Sequence, residues 1–241
     1  MAEIKLKDKL LNYKIVRSQR KTIGIIIKVD QELLVRAPQT TSLKNIERLL
    51  HKKTDWILRK LKKVAQIKPA PAAKKFINGE QFSYLGQKYE LIIKNSSAAA
   101  KVELFSDKII VNYPAVQQGD YQARQPIIRK ILVDWYRKQA KIKIEQRILN
   151  YKDLLGVEPN RIVVKKQRKR WGSCSSKGNL NFNWKIIMAP PPIIDYLVVH
   201  ELSHLVHANH SKAFWQTVAS LIPEVEKKRE WLRINARQLD F

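Results

Sequence analysis

The stretch VVHELSHLVHANHSKAFW, residues 198–215, contains four of the five histidines in the chain. Within it, His200, Glu201 and His204 form an HExxH motif. Histidines four positions apart lie on one helix face about one turn apart, so both imidazoles can bind a single ion. The surrounding residues are apolar, which predicts a buried helix, and buried histidine and glutamate are costly without a partner. The motif therefore predicts a metal site on a core helix.

The third ligand has two candidates, His207 and His210. A catalytic zinc ion keeps three protein ligands and one open position for water. His207 shares the helical face, but at about 1.5 Å per residue it lies about 10 Å along the axis from His200, too far for one ion. Residues 208–209 can turn the chain, because Asn tolerates the left-handed conformation that ends helices. We therefore predict that one Zn²⁺ is bound by His200, His204 and His210, with His207 beside the site or at the surface.

Glu201 directly follows the first predicted ligand. It points around the helix toward a water rather than toward the ion, which suits a general base that takes the proton of an attacking water. Ser203 has no triad partner in view, so serine catalysis is disfavoured. The sequence predicts a zinc-dependent hydrolase with Glu201 as its catalytic residue.

Composition places the chain among soluble folded proteins. Of 241 residues, 44% are hydrophobic and 28% are charged. The N-terminus lacks the apolar core of a secretory signal, and no apolar run is long enough for a membrane helix. The single cysteine, Cys174, permits no internal disulfide. We expect a cytoplasmic protein with no membrane partner.

The chain is strongly basic, with 47 Lys and Arg against 21 Asp and Glu and a formal charge of +26. Such a balance predicts attraction to polyanions, nucleic acid among them. The run RIVVKKQRKR, residues 161–170, is the best candidate for a focused patch. Cations spread evenly over the surface are the alternative, so nucleic acid remains an open partner.

Apolar periodicity predicts an α+β fold in two parts. Residues 1–115 are expected to form a β-rich region with one amphipathic helix, which starts at Ser42 and ends near residue 64. Residues 120–241 are expected to hold a long helix over 122–152, strands over 161–166 and 179–188, the histidine helix and two closing helices. No internal repeat is visible.

Three segments carry a family resemblance: RWGSCSSKGNLNFNWKIIMAP (170–190), IDYLVVHELSHL (194–205) and NHSKAFW (209–215). They resemble the YgjP-like metallopeptidase domain family, which is related to SprT-type zinc metalloproteases. The resemblance implies a zincin-like catalytic portion, with an HExxH active-site helix next to a β-sheet. It also implies zinc held by His200, His204 and His210, with Glu201 as the base.

Residues near the motif suggest substrate contacts. Asn179, Asn181 and Asn183 line one face of a strand, which either pairs with an extended peptide or is a solvated polar face. Arg170 either contacts an oxyanion or phosphate or belongs to a packed turn. Cys174 is either a fourth ligand in a resting state or a small buried thiol. We take Asn181, Asn183 and Arg170 as candidate substrate-binding residues.

The sequence thus predicts a zinc metallopeptidase acting on a polypeptide. One alternative is metal-dependent pyrophosphate release from UTP, a label that some members of the resembling family carry, with phosphates held by residues 165–170. Another is a DNA-associated protease of the SprT type.

Overall fold

The computed structural model describes residues 2–114, 121–167 and 170–241, without the side chains of residues 114 and 121–123. It divides into two units, Met1–Pro69 and Ala70–Phe241. The described residues include three β-sheets and six α-helices. The expected mixture of helices and sheets is therefore confirmed. The predicted boundary at residues 115–120 lies outside the described residues and within the range of the second unit. The division into 1–115 and 120–241 stays a prediction.

The first unit is a four-stranded sheet covered by two helices. Its elements are β1 (Ala2–Leu6), β2 (Lys9–Ser18), β3 (Gly24–Ile27), β4 (Leu33–Pro38), α1 (Leu43–Lys52) and α2 (Thr54–Ala65). The strand order is β1-β2-β4-β3, and only β2 and β4 pair in parallel. Ser42 caps α1 by accepting a hydrogen bond from the Asn45 amide at 3.3 Å. The single helix expected over 42–64 is interrupted at Lys53, so that prediction is corrected.

The second unit begins with another four-stranded sheet and a long helix. These are β5 (Gln81–Tyr84), β6 (Gln87–Ser96), β7 (Lys101–Phe105), β8 (Lys108–Pro114) and α3 (Tyr121–Leu155). The sheet has the order β5-β6-β8-β7, and only β6 and β8 pair in parallel. The long helix agrees with the range expected from the sequence.

The rest of the second unit holds a three-stranded sheet and three helices. Its elements are β9 (Arg161–Lys165), β10 (Gly172–Cys174), β11 (Asn179–Asn183), α4 (Pro191–Ser203), α5 (Lys212–Leu221) and α6 (Val225–Asn235). The order is β10-β11-β9, so β10 is an edge strand. Helix α4 is apolar on nearly every side and is buried accordingly. Its first two residues are prolines, whose missing amides cost nothing at a helix start.

The prediction of a strand over residues 179–188 is wrong beyond Asn183. Residues 184–188 form a 3₁₀-helix instead, and four of its five side chains are buried. Asn183 starts this turn by accepting a hydrogen bond from the Lys185 amide at 3.3 Å. The alternation of apolar and polar residues in the sequence did not indicate that Asn183 caps a helix.

Two sets of contacts fix α4 within the second unit. The turn between β5 and β6 donates the Leu85 amide to the Ile187 carbonyl at 2.8 Å, just before the helix. On α4 itself, Asp195 forms a salt bridge with Arg147 of α3 at 2.7 Å. Gly86 has a φ of +81°, and a Cβ there would lie 2.9 Å from Pro190 Cα, so glycine is required. The start of α4 is therefore tied to the sheet and to α3.

None of the described helices combines the length and the apolar character needed to cross a lipid bilayer.

The core of the second unit generates a stability prediction at Phe182 of β11, whose side chain is fully buried. Phe182→Ala removes most of a buried ring and leaves a cavity, so we expect the free energy of unfolding to fall by about 3–5 kcal/mol. Phe105→Ala is the matched control, because that ring is 70% exposed and should change stability by less than about 0.5 kcal/mol. Urea denaturation followed by tryptophan fluorescence reports mainly on this unit, which holds five of the six tryptophans. Equal destabilisation by both substitutions would contradict the assigned core.

Candidate metal centre

The HExxH motif lies at the end of α4. His200 and Glu201 belong to its last turn, and His204 is the residue that caps it. The chain then turns through residues 205–211 before α5 begins. Asn209 is not among the residues with positive φ, so the expected left-handed turn at this position is not observed. The reversal nevertheless brings His210 back to the helix end.

Three imidazoles meet at this point. One ring nitrogen from each of His200, His204 and His210 lies within 4.8 Å of the other two. The Nε2 atoms of His200 and His210 are only 3.1 Å apart. His204 and His210 have ring centroids 4.7 Å apart. The structure therefore brings together the three residues that the sequence selected as ligands.

His207 does not join this cluster, and it holds His204 instead. The Nδ1 atom of His204 lies 3.1 Å from the His207 carbonyl oxygen. Because a carbonyl only accepts, His204 donates from Nδ1, which leaves Nε2 free to bind an ion. The His207 ring itself contacts the Thr217 hydroxyl of α5 at 3.0 Å. This agrees with the expected position of His207 beside the site.

His210 is exposed and is oriented by aromatic contacts. Its ring stacks on Trp215 of α5, with centroids 5.5 Å apart and planes at 23°. Arg229 of α6 covers the same indole at 5.0 Å, a cation–π distance. Arg229 was not among the site residues predicted from the sequence. Only the fold reveals Arg229, because it lies on a different helix.

The protonation of the cluster favours metal binding. Burial, the neighbouring His204 and His210, and Arg229 together lower the pKa of His200 to about 3. Burial also lowers the pKa of His210. Both rings are then neutral near pH 7, as metal-ligating histidines must be. Three imidazole nitrogens that converge on one point are a donor set that fits zinc.

Glu201 lies beside the imidazoles in a cavity of about 510 Å³. The cavity is lined by residues of β10, its following turn, α4 and the loop after it. Glu201 is only 4% exposed. Burial raises the pKa of its carboxyl group to about 8, while Arg170 opposes that rise. The carboxyl group is thus held out of bulk water next to the predicted ligands.

Gly172 provides the space for that carboxyl group. A Cβ atom at Gly172 would lie 2.6 Å from both Cδ and Cγ of Glu201. Real Cβ atoms do not approach that closely, so any side chain at position 172 must displace Glu201. Gly172 was not among the site residues predicted from the sequence. The presence of a glycine is visible in the sequence, but its role follows only from the packing of β10 against α4.

The candidate substrate residues are placed unequally. Arg170 lines the cavity, whereas Asn181 and Asn183 do not. Asn181 lies on the central strand β11, and Asn183 is buried with its amide donating to the Gln167 carbonyl at 3.0 Å. The strand that faces the cavity is β10. A substrate role for the two asparagines is therefore not supported by their position and stays a prediction.

Cys174 lines the cavity but stands outside the group of side chains that could share an ion. Burial raises the pKa of its thiol, which favours the neutral form over a metal-binding thiolate. The basic run at 161–170 is described only in part, since residues 168 and 169 lie outside the described residues.

Comparison with known families gives one extensive match. The model of the YgjP-like family, described as a metallopeptidase domain, matches residues 21–235. No curated protein matches the sequence. The resemblance expected from the three motif segments is therefore confirmed.

Two solved structures are similar over part of the chain. The metallopeptidase zymogen abylysin of Pyrococcus abyssi is 23% identical, and the match covers 39% of this chain and 93% of that one, with a TM-score of 0.35. For the metallopeptidase zymogen jannalysin of Methanocaldococcus jannaschii, the identity is 18%, the coverage 41% and 95%, and the TM-score 0.32. At these TM-scores neither likeness supports an argument about this chain.

The geometry predicts how each histidine contributes to metal affinity. His210→Ala removes one of the three converging nitrogens. Loss of a residue that only hydrogen-bonds to a metal ligand costs up to about 100-fold in metal affinity, so we expect loss of a ligand itself to lower zinc affinity by more than that. His207→Ala keeps the backbone carbonyl that holds His204 and should cost less than about tenfold. His51→Ala, at an exposed position in the first unit, is the control. Competition with a zinc chelator measures all three, and a larger loss for His207→Ala than for His210→Ala would contradict the assignment.

Proposed function

The chain belongs to the YgjP-like metallopeptidase domain family, and we propose that it hydrolyses peptide bonds with one zinc ion held by His200, His204 and His210. The observation that carries this proposal is the convergence of three imidazole nitrogens within 4.8 Å beside a buried carboxyl group. A zincin-like arrangement of the catalytic portion is part of the proposal.

Three nitrogen donors favour zinc over magnesium, which prefers oxygen ligands. When bound, zinc supplies a Lewis acid that polarises the scissile carbonyl and lowers the pKa of water. Among the described residues only these three side chains could share one ion, and three protein ligands are the number typical of catalytic rather than structural zinc. This supports an enzyme over a module with purely structural zinc.

Glu201 is the proposed proton carrier. Its carboxylate, the form that the positive charge of bound zinc would favour over the neutral acid, takes a proton from the attacking water and then returns that proton to the leaving amine nitrogen. Its burial beside Gly172 keeps the carboxyl group fixed and away from competing solvent. Arg170, the cation that lines the same cavity, is the proposed stabiliser of negative charge on the substrate.

The edge strand β10 offers a place for an extended substrate. One edge of β10 pairs with β11, and its other edge pairs with none of the described strands. A peptide can add to such an edge through backbone hydrogen bonds with little preference for sequence. A polypeptide substrate is therefore favoured over UTP. The phosphates of UTP would need several cations, and among the described residues that line the cavity Arg170 is the one Lys or Arg. The expected cytoplasmic location stays a prediction.

The assignment of Glu201 is tested by Glu201→Gln. We expect zinc content to stay at one ion per chain while cleavage of an unfolded protein falls by about 10²–10⁴-fold, the usual contribution of a general base. Glu224→Gln, at an exposed position, should keep full activity. Metal analysis and a peptidase assay are run together, with UTP as a parallel substrate. An unchanged rate in Glu201→Gln would overturn the base assignment, and zinc-dependent release of pyrophosphate from UTP without peptide cleavage would overturn the proposed reaction.

A second prediction concerns the space at Gly172. Gly172→Ala should retain zinc, because the three histidines are untouched, but should lower kcat by at least about tenfold, because a displacement of about 1 Å at a catalytic group can cost 10²-fold. Gly24→Ala in the first unit is the matched control, since its new Cβ would meet only the flexible guanidinium of Arg20 at 3.0 Å. A zinc-loaded Gly172→Ala protein with normal kcat would show that the Glu201 position is not critical.

A further inference from the structure

The first unit and the start of the second share one architecture. The sheets β1-β2-β4-β3 and β5-β6-β8-β7 have the same strand order and the same sequence of antiparallel, parallel and antiparallel pairings. In both, the parallel pair ends on a serine opposite a proline, Ser18 with Pro38 and Ser96 with Pro114. The turns after the first strands both contain a residue with positive φ, Lys7 at 54° and Leu85 at 49°.

The helices that follow these sheets also correspond. An Asp-Trp pair occurs at residues 55–56 in α2 and at residues 134–135 in α3. Each tryptophan is partly buried against the core of its own unit. We call residues 2–65 copy 1 and residues 81–155 copy 2. The chain thus contains a topological repeat that its sequence did not disclose.

The two copies differ in what covers the outer side of the helix. In copy 2, α3 packs on its sheet and also against α4, β9 and the 3₁₀-helix at 184–188. In copy 1, α1 and α2 bury only one face, through Ile46, Leu50, Ile57 and Leu61. Their opposite face is exposed. The described contacts therefore cover more sides of α3 than of α1 and α2.

This open face is basic. Lys44, Arg48 and Lys52 are exposed and follow one another at four-residue spacing along α1, so they form a straight row. None of the three is in a salt bridge with a described residue. Three more cations, Arg59, Lys60 and Lys62, are exposed on α2. We call these six residues the basic face.

The surrounding acidic groups do not neutralise it. Residues 1–69 contain 18 Lys and Arg but only six Asp and Glu. On the two helices the acidic residues are Glu47, which lies 3.4 Å from the Tyr13 hydroxyl, and Asp55, which pairs with Lys7 at 2.5 Å. The first unit therefore carries a larger part of the net positive charge of the chain than of its residues.

We propose that the basic face of copy 1 binds the phosphate backbone of a double-stranded nucleic acid. The row from Lys44 to Lys52 spans about 12 Å of helix, a length over which a DNA duplex presents about seven charges. Contacts of this kind carry no base specificity, because lysine and arginine meet phosphates rather than base edges. The proposal does not depend on the peptidase activity.

Other polyanions fit this face less well. An anionic membrane binds helices through an exposed apolar face as well as charge, but the apolar faces of α1 and α2 lie in the core. Single-stranded nucleic acid calls for exposed aromatic rings on which bases stack, and Trp56, which is the one Phe, Tyr or Trp of these helices, is partly buried. A protein partner calls for an apolar interface centre, which the row does not offer.

Charge reversal tests the proposal in the full-length, zinc-loaded protein. The variant carries Lys44→Glu, Arg48→Glu and Lys52→Glu. The matched control carries Arg129→Glu, Lys130→Glu and Lys138→Glu, three exposed cations of α3 in copy 2, and so has the same net charge. The probes are a labelled random-sequence DNA duplex, an RNA duplex, a single-stranded RNA and a phosphatidylglycerol vesicle. Binding is measured by fluorescence anisotropy or vesicle sedimentation between about 50 and 200 mM salt.

We expect the unaltered protein to bind both duplexes with an affinity that falls steeply with salt. The copy 1 variant should lose at least about tenfold in affinity, and its slope of log affinity against log salt should be shallower by about three, one for each lost phosphate contact. The copy 2 control should change affinity by less than about threefold. A milder variant with glutamine at residues 44, 48 and 52 should give an intermediate loss, and circular dichroism checks that each variant is folded.

Three outcomes would overturn the proposal. The first is equal loss in the two triple variants, which would mean that net charge alone drives binding. The second is stronger binding to the vesicle or to single-stranded RNA than to either duplex. The third is no duplex binding at low salt. Retention of zinc in all variants separates each of these results from any failure of the proposed peptidase.

Discussion

The cost of burying polar groups on an apolar helix governs this structure. Helix α4 is surrounded by core residues, yet its last turn carries His200 and Glu201, with His204 at its end. Two partly buried imidazoles and a buried carboxyl group are expensive unless a partner stabilises them. His210, returned by the loop after the helix, completes a cluster in which the nitrogens face one another. A shared cation is the partner that best accounts for this arrangement, because it stabilises all three rings at once.

The rest of the second unit positions that cluster. The turn between β5 and β6 holds the chain just before α4, and the Arg147–Asp195 salt bridge ties the helix to α3. On the other side, the His207 carbonyl fixes the His204 ring and Trp215 stacks on His210. Gly172 then leaves room for the Glu201 carboxyl group between β10 and the helix. Each contact is modest by itself, but together they restrict the ring and carboxyl positions before any ligand binds.

Local spacing explains which parts of the site were predictable. The four-residue separation of His200 and His204 follows from helix geometry, and the length of a helix excluded His207 in favour of His210. The roles of Gly172, Arg229 and β10 could not be predicted, because each depends on which elements pack together. The strand expected through Met188 failed for a related reason: its apolar residues are buried on several sides of a 3₁₀-helix, so alternation in the letters was misleading. The repeat of the four-stranded sheets was hidden because a topology can be kept by different apolar residues, such as Ile4 and Leu6 in one copy and Phe82 and Tyr84 in the other.

A crystal structure of the zinc-soaked protein, with anomalous data collected on both sides of the zinc absorption edge, tests the central claim most directly. The account predicts one strong anomalous peak about 2.0–2.1 Å from a ring nitrogen of each of His200, His204 and His210, with no fourth protein ligand. A peak coordinated by Cys174 or His207, or three rings that diverge with no zinc between them, would contradict it.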